Sequence, residues 1–144
     1  MTETWLVAHD FSPCSDAAVF EAARLLEPLK GTLQLFHVHQ PAQVRPELAW
    51  GEATFHLERE LRSQLDKIAV AVKGQHPGVT VEVSVTAGDA VSSILAEANR
   101  VGVDHIVVGT HSRTGIAHVV LGSVAERVVR EADVPVLVVK QPKV

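Results

Sequence analysis

Strand-like and helix-like segments alternate along the whole chain, and this order limits the possible folds more than any other feature. Apolar runs typical of strands lie at 5–8, 33–38, 79–85, 105–108 and 134–139. Helical patterns of apolar residues lie between them, after Ser12-Pro13, over 50–72, after Gly88-Asp89 and from 123 to about 132. Such alternation predicts a mostly parallel sheet with helices on both faces. We expect one α/β domain over 1–144, an open five-stranded sheet with the strand order 3-2-1-4-5.

Local signals support several element boundaries. Ser12 is a good helix cap, with Pro13 at the first helical position. Gly74 and Pro77-Gly78 are expected to end the long second helix. The third strand alternates apolar and polar residues with period two, which gives it one wetter face and suits an edge position in the sheet.

Asp10 and Gly109 are expected to lie at the same edge of the sheet. Asp10 follows the first strand, and Gly109 ends the fourth. In open parallel sheets, ligands bind at the carboxyl ends of the strands, near the point where the strand order reverses. The first and fourth strands are neighbours at that point in the order 3-2-1-4-5. Asp10 and the loop after Gly109 should therefore face one ligand crevice.

The composition disfavours several classes of protein. The 144 residues include 13 Lys and Arg and 17 Asp and Glu, a formal net charge of −4, without a basic stripe. Nucleic acid is therefore a poor candidate partner. Cys14 is the only cysteine, so no intrachain disulfide can form and a reducing compartment is indicated. With no apolar segment of bilayer length and no signal-peptide pattern, we expect a soluble, cytoplasmic protein with no membrane partner.

The loop after the fourth strand has the pattern of a phosphate-binding turn. It runs Gly109-Thr110-His111-Ser112, then nine residues, then Gly122-Ser123 at the start of the last helix. Glycine lets backbone N–H groups approach an anion closely, and a helix N-terminus adds partial positive charge. The pattern therefore predicts a phosphate group bound between the fourth strand and the last helix.

Each of these residues also has a purely structural interpretation. Ser123 and Glu126 have the spacing of a capping box, in which the serine caps the helix and the glutamate reaches back. Gly109 can simply end a strand, Gly122 can serve a turn, and Asp10 can be an exposed turn acid or a cap acceptor. It is their joint spacing that favours the binding interpretation.

Two other kinds of site have weaker support in the sequence. His37 and His39 lie two residues apart and would share a strand face, but no cysteine or carboxylate set completes a zinc site. Cys14 is lone, and a lone cysteine is more often a packing residue than a reactive thiol. We therefore expect no metal ligand from protein side chains and no catalytic residue.

Several spaced segments resemble the universal stress protein (UspA-like) family. They are Asp10 after the first strand, His37-Val38 in the second, Gly88 before the third helix, the Gly109 and Gly122-Ser123 pair, and the segments 124–128 and 134–139. The resemblance covers essentially the whole chain and is strongest from Asp104 to Lys140. Nucleotide-binding members of that family carry G-x2-G-x9-G-[S/T]. This chain keeps the spacing but has Ser112 in place of the second glycine.

The resemblance implies an adenine nucleotide site, with ATP and Mg²⁺ as ligands. Asp10 would contact the ribose, and the backbone at Val38 would meet the adenine. The phosphates would lie against two segments: Gly109, Thr110, His111 and Ser112, and Gly122, Ser123, Val124 and Ala125. If position 112 needs a positive φ, serine costs about 1 kcal/mol there relative to glycine. The sequence offers no clear general base, so any hydrolysis of ATP would be slow.

The last strand predicts self-association. In the expected order it is a sheet edge, and an uncovered apolar edge invites pairing with another chain. Members of the family commonly dimerise through this strand, so we expect a homodimer with two-fold symmetry, unless Lys140 and Pro142 blunt the edge. The edge residues concerned are Val136, Leu137, Val138 and Val139.

Two alternatives to nucleotide binding remain open. The first is a dimeric interaction module of the same family that binds no nucleotide. The second is a flavin-binding protein, which is less favoured because the turn 9–13 lacks a run of hydroxyls and glycines for a flavin phosphate, and Pro13 removes one donor N–H.

Overall fold

The computed structural model describes residues 2–40, 52–111 and 121–141, and strands alternate with helices along them as predicted. The strands are β1 (Thr4–Ala8), β2 (Thr32–His39), β3 (Thr80–Ala87), β4 (His105–Gly109) and β5 (Val136–Val139). The helices are α1 (Pro13–Leu26), α2 (Glu52–Gln75), α3 (Ala90–Val101) and α4 (Ser123–Glu131), with a 3₁₀ turn over Glu27–Leu29 after α1. Ser112, Pro142 and the first two residues of the helix predicted over 50–72 lie outside the described residues.

The five strands form one parallel sheet in the order β3-β2-β1-β4-β5, which confirms the predicted topology. The central strand β1 pairs with both β2 and β4, so that Val7 lies opposite Leu35 on one side and Val107 on the other. The period-two strand β3 is at one edge of the sheet, as its sequence predicts. At the other edge is β5.

Each face of the sheet has its own apolar core. Because successive strand residues point to opposite faces, Val7 contributes to the core under α1 and α2, and Leu6 to the core under α3 and α4. Burial of both faces explains why the inner strands are nearly continuous apolar runs rather than alternating ones. In the described part of the chain, no helix is both long and apolar enough to cross a membrane.

The starts of α1 and α3 and the end of α2 follow the local signals. Ser12 caps α1 by accepting a hydrogen bond from the N–H of Ser15, with Pro13 as the first helical residue. Asp89 caps α3 in the same way through the N–H of Ser92. The long helix α2 ends at Gln75, between Gly74 and Pro77-Gly78, where the sequence predicts its end.

Candidate functional site

A cleft opens at the carboxyl ends of β1 and β4, where the strand order reverses. It encloses about 580 Å³, open mouth included. Of the predicted site residues that the structure describes, all except Ser123 line it: Asp10, Val38, Gly109, Thr110, His111, Gly122, Val124 and Ala125. The lining also includes residues that the sequence did not single out, which are Ala8, His9, Ser15, Phe36, Ala90, Ile94 and Val108.

The turn from β1 to α1 fixes the carboxylate of Asp10 at the cleft. Its Oδ1 accepts hydrogen bonds from the N–H of Ser12, at 3.0 Å, and from the hydroxyl of Ser15, at 2.5 Å. The Ser15 hydroxyl oxygen in turn accepts a bond from the N–H of Asp10, at 3.1 Å. These local bonds orient the carboxylate group, so that its position is set before any ligand arrives.

Gly109 is required by packing at the end of β4. A Cβ at this position would lie 2.8 Å from Sγ of Cys14 and 3.1 Å from the carbonyl carbon and oxygen of that residue. The glycine therefore allows the first turn of α1 to touch the end of β4. Ligand binding is not needed to explain it. The same contact explains the burial of Cys14, which is 3% exposed.

Hydrogen bonds continue from Cys14 into the cleft. Its Sγ lies 3.4 Å from Oγ1 of Thr110 and 3.5 Å from the carbonyl oxygen of Val139. Oγ1 of Thr110 is also 3.0 Å from Nδ1 of His111. The side chains that begin the loop after β4 are therefore held on the α1 side by a buried thiol.

The N-terminus of α4 is joined to the end of β4 by a backbone bond. The N–H of Gly122 donates to the carbonyl oxygen of Thr110 at 2.6 Å. Gly122 is extended, with φ −65° and ψ 157°, and it is the residue before the helix. Ser123 is consequently the first helical residue.

The alternative interpretation of Ser123 and Glu126 as a capping box is therefore wrong. A hydroxyl at the first helical position does not reach back to cap the helix, and Glu126 forms an ion pair with Arg130 instead. No described side chain caps α4. The N–H groups of its first turn lack partners within the helix, and they carry the positive end of the helix dipole to the cleft.

The lining that comes from β2 and α3 is apolar. Phe36 and Val38 lie two residues apart on β2 and therefore share a face, and Ala90 and Ile94 lie one turn apart on α3. Helical spacing from the Gly88-Asp89 signal could have identified the two α3 residues from the sequence. A flat apolar group can therefore pack on this side of the cleft, and an anion can lie at the N-terminus of α4.

His37 and His39 lie on the opposite face of β2 from Phe36 and Val38, and they make contacts of their own. Nδ1 of His37 donates to the carbonyl oxygen of His9 at 2.6 Å, and Nε2 of His39 lies 3.1 Å from Oε1 of Glu58. Burial lowers the pKa of His37 below its usual range, although the bond to His9 opposes this shift. Within the described ranges, no three His, Cys, Asp or Glu side chains are placed to share a metal ion.

A parallel sheet with a cleft at this switch point defines the class of open α/β proteins that bind ligands beyond the carboxyl ends of their strands. The sequence narrows that class. Residues 1–140 match the universal stress protein family, and the chain belongs to this family.

Three curated relatives show how far the likeness extends. Universal stress protein YxiE of Bacillus subtilis (strain 168) is 30% identical over 148 residues, which cover 97% of this chain and 100% of YxiE. Universal stress protein MJ0531 of Methanocaldococcus jannaschii is 37% identical over 97 residues, which cover 67% of this chain and 56% of MJ0531. Stress response protein NhaX of Bacillus subtilis is 36% identical over 59 residues, 41% of this chain and 36% of NhaX. The chain thus spans only part of NhaX and MJ0531.

Two solved structures share the fold over nearly the full length. Hypothetical protein MJ0577 is 26% identical, with a TM-score of 0.73, and the match covers 100% of this chain and 99% of that one. A universal stress protein in complex with cAMP is 25% identical, with a TM-score of 0.68, and covers 98% of both chains.

Proposed function

We propose that this protein binds an adenine nucleotide, ATP with Mg²⁺, in the cleft between β1 and β4. In this proposal the domain spans 1–144 and acts as a stress-response binding or signalling module, with slow hydrolysis of ATP at most. The observation that carries the proposal is the meeting of three features at one cleft: a fixed carboxylate at Asp10, a helix N-terminus after Gly122 that no described side chain caps, and an apolar wall. The related protein solved with cAMP supports an adenine nucleotide as the ligand.

Each part of the nucleotide would meet complementary chemistry. The adenine would lie at Val38, where the apolar lining from β2 and α3 suits a flat ring. The ribose hydroxyls would donate to the carboxylate of Asp10. The phosphates would accept hydrogen bonds from the first turn of α4, from Gly122 to Ala125, and from the loop that starts at Gly109.

Mg²⁺ would enter with the nucleotide. This ion keeps several waters and is usually held by phosphate oxygens with few protein ligands. The lack of a metal-binding cluster among the described residues fits that mode. The role of this chain is then to bind and orient the nucleotide, and we assign no catalytic residue.

The contact between Gly109 and Cys14 gives some support to the alternative function, an interaction module that binds no nucleotide. Gly109 is explained by Cys14 alone, so one motif glycine does not discriminate between the two functions. The N-terminus of α4 supports nucleotide binding, because a helix end that no described side chain caps gains from an anion at that place.

We also propose a homodimer formed through β5. Thr110 donates its N–H to the carbonyl oxygen of Val139, and Ile106 donates to that of Pro135, so these β5 groups point towards β4. Since backbone groups alternate in direction along a strand, those of Val136 and Val138 point away from β4. At the other edge of the sheet, the side chain of Arg62 donates a hydrogen bond to the carbonyl oxygen of Val83, so this group of β3 already has a partner.

A cytoplasmic location is part of the proposal, since it suits a chain with a single cysteine.

Thermal unfolding with and without ATP and Mg²⁺ tests nucleotide binding. A ligand at a hundred times its Kd stabilises the folded protein by about 2.7 kcal/mol, which raises Tm clearly. Gly122→Val should abolish this rise, because a branched side chain would stand among the N–H groups that face the phosphates. The φ of −65° accepts valine without strain, so the fold should survive.

The matched control is Gly74→Ala in α2, where an added Cβ meets nothing within 4 Å. This variant should keep the full rise in Tm. An equal rise in Gly122→Val would show that the nucleotide does not bind at α4. No rise in the wild-type protein, with a dimer still present, would favour the interaction module.

A further inference from the structure

The turn between β1 and α1 contains a backbone conformation that its sequence does not favour. Phe11 has a φ of 64°, in the left-handed region that bulky residues rarely adopt. A residue in this region persists only where its surroundings hold it there. The contacts around Phe11 identify His9 as the group that does so.

Both ring nitrogens of His9 are hydrogen-bonded, and their roles are fixed by the partners. Nδ1 lies 3.0 Å from the backbone N of Phe11, and Nε2 lies 2.8 Å from Oδ1 of Asp16. A backbone N–H can only donate, so Nδ1 accepts and carries no proton. The proton of the neutral ring is therefore on Nε2, which donates to Asp16. His9 is 3% exposed, so its ring is shielded from water, whereas the side chain of Asp16 is 54% exposed.

The rings around His9 hold its plane. Phe11 lies edge-on to His9, with ring centroids 5.1 Å apart, and its ring is 4.7 Å from that of His37. Nδ1 of His37 also donates to the carbonyl oxygen of His9 at 2.6 Å. The imidazole of His9 is thus fixed from α1, from β2 and from its own turn.

We propose that His9 is a positioning residue for the cleft. In the Nε2–H tautomer, Nδ1 of His9 accepts a hydrogen bond from the N–H of Phe11. This bond closes the turn around Asp10, which lies between the two residues. That closure sets the backbone from which the Asp10 carboxylate reaches Ser12 and Ser15. The effect on ligand affinity rests on the proposed nucleotide function, whereas the tautomer and the closed turn do not.

The imidazole nitrogen spectrum of the ¹⁵N-labelled protein, without any nucleotide, tests the tautomer. We expect Nδ1 of His9 to resonate as an unprotonated ring nitrogen and Nε2 as a protonated one. The amide of Phe11 should also be protected from hydrogen exchange. A protonated Nδ1, or a Phe11 amide that exchanges as fast as an exposed one, would overturn the proposal.

Two amide variants test the positioning role. In His9→Asn the side-chain amide lies close to the place of Nδ1 and can still accept the N–H of Phe11. In His9→Gln it lies close to the place of Nε2 and can still bond to Asp16, but it leaves the N–H of Phe11 without its acceptor. We expect His9→Asn to bind ATP and Mg²⁺ within about twofold of wild type, and His9→Gln about tenfold more weakly.

The pattern across the two variants decides the result. If both lose affinity equally, or if His9→Gln binds as well as wild type, His9 does not act through Phe11 and the proposal is wrong. If wild type itself binds no ATP, the proposed function fails, while the nitrogen spectrum and the exchange of the Phe11 amide still judge the role of His9 in the turn.

Discussion

Replacing Gly109 with alanine tests how closely α1 and β4 approach each other at the cleft. The added Cβ would lie 2.8 Å from Sγ of Cys14 and 3.1 Å from its backbone carbonyl. Carbon atoms in contact prefer separations of about 3.5–4.0 Å, so the helix or the strand end has to move by several tenths of an ångström. Gly109 is not among the described residues with positive φ, so the backbone itself accepts alanine and the cost is steric.

Overpacking of this kind costs about 1–3 kcal/mol. We expect the upper half of that range, about 2–3 kcal/mol, because part of the contact is with backbone atoms that no rotamer change can move. For a protein of this size, each kcal/mol lowers Tm by about 3–4 °C. Urea unfolding without nucleotide measures the change in free energy directly.

Cys14→Ala separates the two contributions to the clash. It removes Sγ but leaves the carbonyl group of residue 14 in place, so Gly109→Ala should cost less in this background, by about 1 kcal/mol. The same cost in both backgrounds would show that Sγ does not limit the approach. A Gly109→Ala protein as stable as wild type would refute the steric account of this glycine altogether.

Three further changes have defined outcomes. Burial lowers the pKa of His37 below its ordinary value of 6.5. As the pH falls, the unfolded chain therefore binds a proton at His37 before the folded protein does, and the free energy of unfolding decreases below about pH 6.5. His37→Phe should therefore lose less stability than wild type between about pH 7.5 and about pH 5.5 in urea titrations, and equal losses would refute this assignment. Val138→Pro removes a backbone N–H that points away from β4 and should shift dimer to monomer in sedimentation, whereas Val138→Ala should not; a Val138→Pro dimer would exclude pairing through β5. Ser112→Gly should bind ATP more tightly, because it restores the second glycine of the family pattern, and weaker binding in calorimetry would contradict this prediction.

The fold could be predicted from the sequence because its signals are local and agree with one another. Ser12 and Asp89 cap helices where their hydrogen-bonding chemistry predicts, and the strands follow apolar runs of the expected length. The carboxyl-end rule then brings Asp10 and Gly109 to one cleft without any knowledge of side-chain contacts.

The parts that could not be predicted depend on contacts between distant segments. The steric role of Gly109 is set by Cys14, which lies far away in the chain. The helix begins at Ser123 as predicted, but the alternative interpretation of Ser123 as its cap is wrong, because Gly122 is the residue before the helix. The role of His9 depends on the left-handed conformation of Phe11, for which a sequence without glycine gives no signal.

Isothermal titration of the wild-type protein with ATP and Mg²⁺ tests the central claim most directly. We expect saturable binding at one site per chain, with no such heat in Gly122→Val. A flat titration at millimolar ATP with folded wild-type protein would contradict the claim that this cleft binds an adenine nucleotide.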